Sequence, residues 1–206
     1  MSIVTKTFIR RADREDLDLL VRWMEDEDFQ YFLYGDPARS PRLIRDQIVG
    51  YLSKTAGSPI PGSVYFIVDS PNGPIGMISL QNISWRNRSC NLDVYISPQH
   101  RGHLSTGINV YRALEYAFDE LNMHRVSAII YAFNQPSWRL LEFLGAKREV
   151  TLKDHILRNG IWHDVFVYGL LKQEFNVWRE KYAEQSKEVT LQKMIESMKC
   201  YLEKNL

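Results

Sequence analysis

The nine residues "QHRGHLSTG" at 99–107 are of the types that can bind an anion at a turn. They follow an apolar run typical of a strand and precede an apolar run with helical spacing. The free N–H groups at a helix start, together with the helix dipole, favour negative charge. No Asp or Glu lies between Asp93 and Glu115 to take that place, and His100, Arg101 and His103 crowd the start. An ordinary strand-to-helix turn with surface histidines is the alternative interpretation.

The elements that would position this turn follow the order β-αα-βββ-α-β-α-ββ, which predicts an α+β fold with mixed strands and helices. Strands are predicted at 7–11, 64–68, 75–80, 91–96, 126–133, 148–157 and 162–171. Helices are predicted within 14–29 (capped by Asp13) and at 40–52, 105–122 and 137–144 (capped by Ser137, stopped by Gly145). The letters "RNG" at 158–160 indicate a hairpin between the last two strands.

Composition excludes several classes of protein. With 206 residues and 45% hydrophobic content, the chain can form one packed domain with or without an appendage. A net charge of +1 predicts no nucleic-acid or membrane partner. The five histidines form no metal-ligand spacing, so no metal is expected. Two distant cysteines and the absence of an apolar leader predict a reduced, cytoplasmic protein.

The composition becomes more polar after Phe175. We therefore predict a main domain at 1–175 and a C-terminal helical extension at 176–206. One apolar stripe supports a helix there: Leu191, Met194, Ile195, Met198, Tyr201 and Leu202. That stripe would pack on its own domain or form the contact of a homodimer.

The segment "ISPQHRGHLSTG" resembles the pyrophosphate loop of the GNAT superfamily of N-acetyltransferases, whose pattern is Gln/Arg-x-x-Gly-x-Gly/Ala. Gln99 and Gly102 match that pattern. A second segment, "YAFNQPSWRLLEFLGAKRE", is similar to the family's other CoA-binding region, with matches at Asn134, Leu144 and Gly145. The last hairpin resembles that of the branch acetylating ribosomal-protein N-termini and polyamines. The resemblance extends from about Thr7 to Phe175.

The resemblance implies a mixed β-sheet, flanked by helices, that splays between the strands at 91–96 and 126–133. Acetyl-CoA would be the cosubstrate, with its pantetheine arm paired to backbone groups of Val94 and Ile96 as an added strand, and Tyr95 between them is also a candidate cofactor-binding residue. Asn134 would bond the same arm. The pyrophosphate would lie on the loop residues Arg101, Gly102, His103, Leu104, Ser105, Thr106 and Gly107. The family reaction is direct attack of an amine on the thioester, in which a base takes the amine proton and an acid protonates the thiolate.

The acid and base are less clearly marked than the loop. Leu141 stands where many relatives carry the tyrosine acid, and Ser137 is its replacement or a helix cap. Asp93 lies on the same strand face as Asn91 and Tyr95, near the expected cleft, and is a candidate base or a surface carboxylate. His155 has a suitable unperturbed pKa of about 6.5 but would also suit an exposed turn.

The resemblance places the acceptor against the aromatic link Phe29, Tyr31, Phe32 and Tyr34, which a plain packing role would also explain. The acidic run at 25–28 would attract a cationic amine or form a solvated face. We expect an acetyl-CoA-dependent N-acetyltransferase for a small-molecule primary amine or a protein α-amino group. Leu104, where the loop pattern has Gly or Ala, keeps an alternative open: a catalytically degenerate GNAT domain that binds CoA or a partner without turnover.

Overall fold

The computed structural model describes residues 7–33, 45–46, 48–50, 61–101 and 104–183. Its strands are β1 (Phe8–Arg11), β2 (Val64–Ser70), β3 (Gly73–Ser84), β4 (Ser89–Ile96), β5 (Arg125–Tyr131), β6 (Lys147–Arg158) and β7 (Ile161–Leu171). Its helices are α1 (Leu17–Glu25), α2 (Glu27–Leu33), α3 (Leu104–Glu115), α4 (Gln135–Phe143) and α5 (Lys172–Ala183). All seven predicted strands are present, and they form one sheet in the order β1-β2-β3-β4-β5-β7-β6.

The sheet splays at its centre, as the resemblance implied. β4 and β5 run parallel, whereas the other neighbouring strands of the described sheet are antiparallel. Pairing between β4 and β5 extends only from Ser89 with Arg125 to Asn91 with Ser127. Residues 92–96 of β4 continue to pair with β3 alone, so a cleft opens beside them.

A hydrophobic core lies on each face of the sheet. The larger core packs α3, α4 and α5 against the sheet, with Val110, Phe118 and Tyr168 among its fully buried members. The smaller core lies beneath α1 and α2 and includes Leu20 and Ile67. The second core fixes α2 close to the cleft, because α2 also contacts β5.

Two predicted features near the N-terminus are wrong. Asp16, and not Asp13, precedes α1 at the cap position, and its carboxylate is held by the Arg10 guanidinium at 2.7 and 2.8 Å. The aromatic connection after α1 is partly helical, since α2 occupies Glu27–Leu33. The Asp26 carboxylate accepts the N–H groups of Asp28 and Phe29 and so begins this second helix.

Three further helix predictions differ from the structure. The long helix expected at 105–122 ends as α-helix at Glu115 and continues as a π-helical turn over Tyr116–Glu120. Helix α4 begins at Gln135, two residues before the expected start. The helix expected at 40–52 lies largely outside the described residues, although 45–46 and 48–50 are helical.

The boundary expected at residue 175 falls inside α5. This helix starts at Lys172, immediately after β7, and carries Phe175 and Trp178 into the larger core. Trp178 stacks on Phe175 at 6.3 Å between ring centroids and meets Phe143 edge-on. Residues 176–183, the first two turns of the expected extension, therefore continue a helix that packs on the larger core. Residues 184–206 lie outside the described part. No helix in the described part of the chain is long and apolar enough to cross a membrane.

Candidate active site

The edge of β4 that faces the cleft carries backbone groups without a strand partner. Ser97 donates its N–H to the Ile75 carbonyl at 2.9 Å, which continues the β3–β4 register. In an antiparallel ladder the hydrogen-bonded positions alternate, so Tyr95 and Asp93 also bond β3. The N–H and C=O groups of Val94 and Ile96 point the other way, into the cleft. An extended amide-bearing ligand could pair with them as an added strand.

Tyr95 does not share this role. Its backbone faces β3, and its ring is buried between Trp23 and Phe29 at centroid distances of 6.1 and 5.1 Å. Burial raises the pKa of its phenol to about 12. Strand alternation turns the Tyr95 side chain into the smaller core, and Val94 and Ile96 are the members of the expected edge whose backbone groups face the cleft.

The start of α3 lies at the end of β4, after a short 3₁₀ turn at Pro98–His100. Its first turn contains no acidic residue, as the sequence predicts for an open anion site. Thr106 is half-buried and Gly107 is buried in that turn. Gly102 and His103 lie outside the described residues, and so do the side chains of Leu104 and Ser105.

The Arg101 side chain contacts β4 and α2. Its Nε donates to the Ile96 carbonyl at 2.9 Å, and its Nη1 lies 3.3 Å from an Asp28 carboxylate oxygen. Its guanidinium also covers the Phe32 ring at 5.1 Å from the centroid. The side chain thus joins the cleft edge of β4 to α2.

Asn134 and Ser137 meet on the opposite side of the cleft, after β5. The Ser137 hydroxyl donates to the Asn134 Oδ1 at 3.0 Å. Ser137 is the third residue of α4, and Asn134 occupies the cap position, so the predicted capping role of Ser137 is wrong. Leu141, one turn further along α4, is buried in the larger core and offers no acid. The Ser137 hydroxyl is the proton donor that the structure brings to Asn134.

Asp93 points from β4 to the same sheet face as Tyr95, because side chains alternate along a strand. It is half-buried, and no described residue donates a hydrogen bond to its carboxylate. Burial raises the pKa of this carboxyl to about 6. A carboxylate with a raised pKa beside an open cleft has the properties of a general base.

His155 lies elsewhere. It is exposed on β6, within the irregularity between Leu152 and Ile156. Among the described residues, no hydrogen bond or ring contact joins it to Asp93 or Asn134. Asp93 is therefore the candidate base that lies on β4 just beyond the last pair of β4 with β5.

The aromatic residues of α2 divide into two groups. Phe29 is 1% exposed and belongs to the smaller core, so its expected substrate contact is wrong. Tyr31 and Phe32 are half-buried and pack on Phe133 with centroids 5.3 and 6.0 Å apart. These rings pack α2 against the end of β5, and we call this cluster the cleft mouth. Tyr34 lies outside the described residues.

Sequence reasoning missed part of this mouth. His163 packs edge-on against Phe133 at 4.8 Å. The Arg158 guanidinium covers the rings of Tyr131 and Tyr31 at 5.2 and 5.8 Å. Phe133 could have been found from the sequence, because it directly precedes Asn134. No local pattern indicated Arg158 or His163, because the β5–β7–β6 pairing brings them there.

The acidic run at 25–28 is mostly committed to the protein's own contacts. Glu25 ends α1, Asp26 caps α2, and Asp28 pairs with Arg101. Glu27 and Asp28 lie in the first turn of α2, where negative charge favours the helix dipole. Among the described residues, no group of three His, Cys, Asp or Glu is arranged to hold a metal.

Comparison with known proteins agrees with this arrangement. Residues 6–147 match the model of the acetyltransferase (GNAT) domain. The N-acetyltransferase p20 of Bacillus licheniformis is 25% identical over 169 residues, covering 81% of this chain and 93% of that protein. The spermidine N(1)-acetyltransferase of Vibrio cholerae is 27% identical over 111 residues, covering 54% of this chain and 64% of that protein.

The fold also matches solved structures. A crystal structure of the Vibrio cholerae spermidine N-acetyltransferase, in complex with CoA and spermine, superposes with a TM-score of 0.71 at 22% identity. The match covers 82% of this chain and 98% of that one. The splayed sheet, the acid-free start of α3 and the domain match agree with one another. The chain therefore belongs to the GNAT family of acetyltransferases and is an N-acetyltransferase.

Proposed function

We propose that this protein binds acetyl-CoA in the cleft between β4 and β5 and transfers the acetyl group to a primary amine. The observation that carries the proposal is the backbone edge at Val94 and Ile96, which has no partner strand on the cleft side and ends beside the acid-free start of α3. A pantetheine arm has amide groups that complement such an edge. A diphosphate suits the free N–H groups and the dipole at the helix start.

Asp93 takes the proton from the acceptor amine in this proposal. Its carboxylate, with a pKa of about 6, is ionised at neutral pH and yet more basic than an ordinary aspartate. A primary amine is mostly protonated at that pH, since its pKa lies near 10, as for lysine. Transfer to Asp93, directly or through one water, would free the nitrogen for attack on the thioester carbonyl.

Ser137 supplies the proton that the leaving thiolate requires. Its hydroxyl donates to the Asn134 Oδ1 in the described structure. In the proposed step the hydroxyl would turn to give this proton to the thiolate as the C–S bond breaks, and the serine oxygen would regain a proton from water. The Asn134 side chain keeps its NH₂ group for a carbonyl of the pantetheine arm. Most of the rate acceleration would come from holding the amine against the thioester, so a weak acid is sufficient.

The acceptor would enter past Tyr31, Phe32 and Phe133. A relative acetylates spermidine, and small-molecule amines and protein α-amino groups both remain candidates for this chain. The acidic run at 25–28 is weaker support for a polycationic acceptor than its composition suggested. The Asp26 carboxylate already accepts the N–H of Phe29, and the Asp28 carboxylate is already paired with Arg101. The aromatic mouth suits an amine carried on an apolar or flat group.

Two measurements test the proposal. Calorimetry with acetyl-CoA should show saturable binding, and release of the CoA thiol should follow addition of polyamines, amino sugars, aminoglycosides or N-terminal peptides. Turnover with at least one class is the expected result. Saturable CoA binding with no thiol release across the panel would favour the non-catalytic alternative. Absence of CoA binding at millimolar ligand would contradict both.

A further inference from the structure

Arg101 makes a three-way contact that the proposed chemistry does not use. Its Nε–H is bonded to the Ile96 carbonyl at 2.9 Å, while Nη1 lies 3.3 Å from Asp28 and the guanidinium covers Phe32. Ile96 belongs to the edge assigned to the cosubstrate, and Asp28 and Phe32 belong to α2, which borders the acceptor mouth. One side chain therefore spans both halves of the site.

The bond to Ile96 contributes more to this contact than the ion pair does. The Arg101 and Asp28 side chains are 36% and 42% exposed, and ion pairs of that kind contribute little in water. The Nε–Ile96 bond is charge-assisted and part-buried, which makes it the stronger anchor. The ion pair with Asp28 and the contact with the Phe32 ring link Arg101 to α2, and the bond to Ile96 holds the guanidinium in place for both.

We propose that Arg101 is a positioning residue that couples occupation of the β4 edge to the position of α2. This inference rests on the proposed function, since it requires a pantetheine amide to bond the Ile96 carbonyl. When that amide approaches, it competes with Arg101 Nε for the cleft side of the same oxygen. Loss of the anchor frees the Arg101 side chain and loosens the face of α2 that carries Asp28 and Phe32, while Phe29 stays packed on Tyr95.

A carbonyl oxygen has two lone pairs, so the Ile96 oxygen could accept hydrogen bonds from the amide and from Arg101 at the same time, which is the opposite of competition. If the amide and Arg101 bond Ile96 together, CoA would tighten the link to α2. The two possibilities predict opposite changes in the exchange of the α2 amide hydrogens. The backbone N–H of Gln30 donates to the Asp26 carbonyl at 3.0 Å. The exchange of this amide hydrogen can therefore report on the opening of α2.

Hydrogen exchange over residues 27–33, with and without saturating CoA, tests the coupling in the full-length chain. In the natural protein, CoA should speed the exchange of α2 by roughly two- to tenfold, the range expected when one net hydrogen bond is lost. In Arg101→Ala, exchange should be fast from the start, and CoA should change it by less than about twofold. Arg86→Ala is the matched control, because Arg86 is exposed in the β3–β4 turn and its loss removes the same charge.

Each outcome bears on one proposal. Calorimetry on the same samples shows whether CoA binds each variant. Slower or unchanged α2 exchange in the natural protein with CoA bound would overturn the coupling and leave the proposed function standing. An equal CoA response in Arg101→Ala and Arg86→Ala would overturn the role of Arg101. Failure of CoA to bind any of the proteins would overturn the proposed function, and the coupling with it.

Discussion

The buried carboxyl of Asp93 should lower the stability of the folded protein at neutral pH, in addition to its proposed role as the base. Its pKa is raised from 3.8 to about 6 by burial, so the folded state binds this proton more tightly than the unfolded chain does. Its contribution to stability is therefore complete below about pH 4 and is lost as the pH rises through about 6. At neutral pH the ionised carboxylate destabilises the fold.

Asp93→Asn should consequently raise the melting temperature while lowering activity. We expect a gain of a few degrees at about pH 8, which shrinks at about pH 5, and a roughly 10²–10⁴-fold fall in kcat/KM. In the natural enzyme, kcat/KM should rise with pH through about 6. Thermal melts and rate profiles measure both. Asp154→Asn is the control, since Asp154 is exposed on β6. A destabilised Asp93→Asn with full activity would contradict both roles.

Ser137 gives a second prediction at the scale of one residue. Ser137→Ala removes the hydroxyl bonded to Asn134 and should lower kcat by roughly 10²–10⁴-fold if that hydroxyl protonates the thiolate. The affinity for acetyl-CoA should change little, because the amide of Asn134 remains. Steady-state kinetics and calorimetry separate the two effects. An unchanged kcat would leave the hydroxyl as a local support for Asn134 alone.

At the scale of an element, β4 depends on a glycine of the neighbouring strand. A Cβ at Gly76 of β3 would collide with the Tyr95 carbonyl and with Ile96, so the cleft edge of β4 can hold its position only with glycine there. Gly76→Ala should cost about 1–3 kcal/mol of unfolding free energy and weaken CoA binding, because β4 must shift. Denaturant melts and calorimetry measure the effects.

Gly62→Ala is the matched control for that substitution. A Cβ at Gly62 meets nothing within 4 Å, so neither stability nor CoA affinity should fall. The two alanines thus separate a general glycine effect from the close approach of β3 to β4. Equal behaviour of the two variants would show that the cleft edge tolerates movement.

For the whole molecule, the question is where the domain ends. Truncation after Ala183 should leave a folded chain that binds CoA, because α5 and its contacts to the larger core remain. Truncation after Phe175 removes Trp178, and the loss of one large buried aromatic side chain costs about 3–5 kcal/mol. Thermal melts of both chains should therefore differ by several degrees. Equal stability would place the end of the domain at 175.

Light scattering on the same chains addresses assembly. If the apolar stripe of 184–206 forms a homodimer, the full-length chain should have twice the mass of the monomer, and the chain ending at Ala183 should be monomeric. A monomer at both lengths would assign the stripe to packing on its own domain. A dimer at both lengths would place the interface within residues 1–183.

Local sequence patterns determined the seven strands, their order in the chain, the acid-free helix start and the Asn134 segment, because alternation, turn residues and missing charges act over a few positions. Tertiary structure decided the rest. Asp93 is a candidate base from its position in the sequence, but its pKa is raised only through its burial in the fold, and Phe29 becomes a core residue only through its packing on Tyr95. Arg101 faces α2, and Arg158 and His163 reach the cleft mouth, through pairings between distant segments that no local pattern contains.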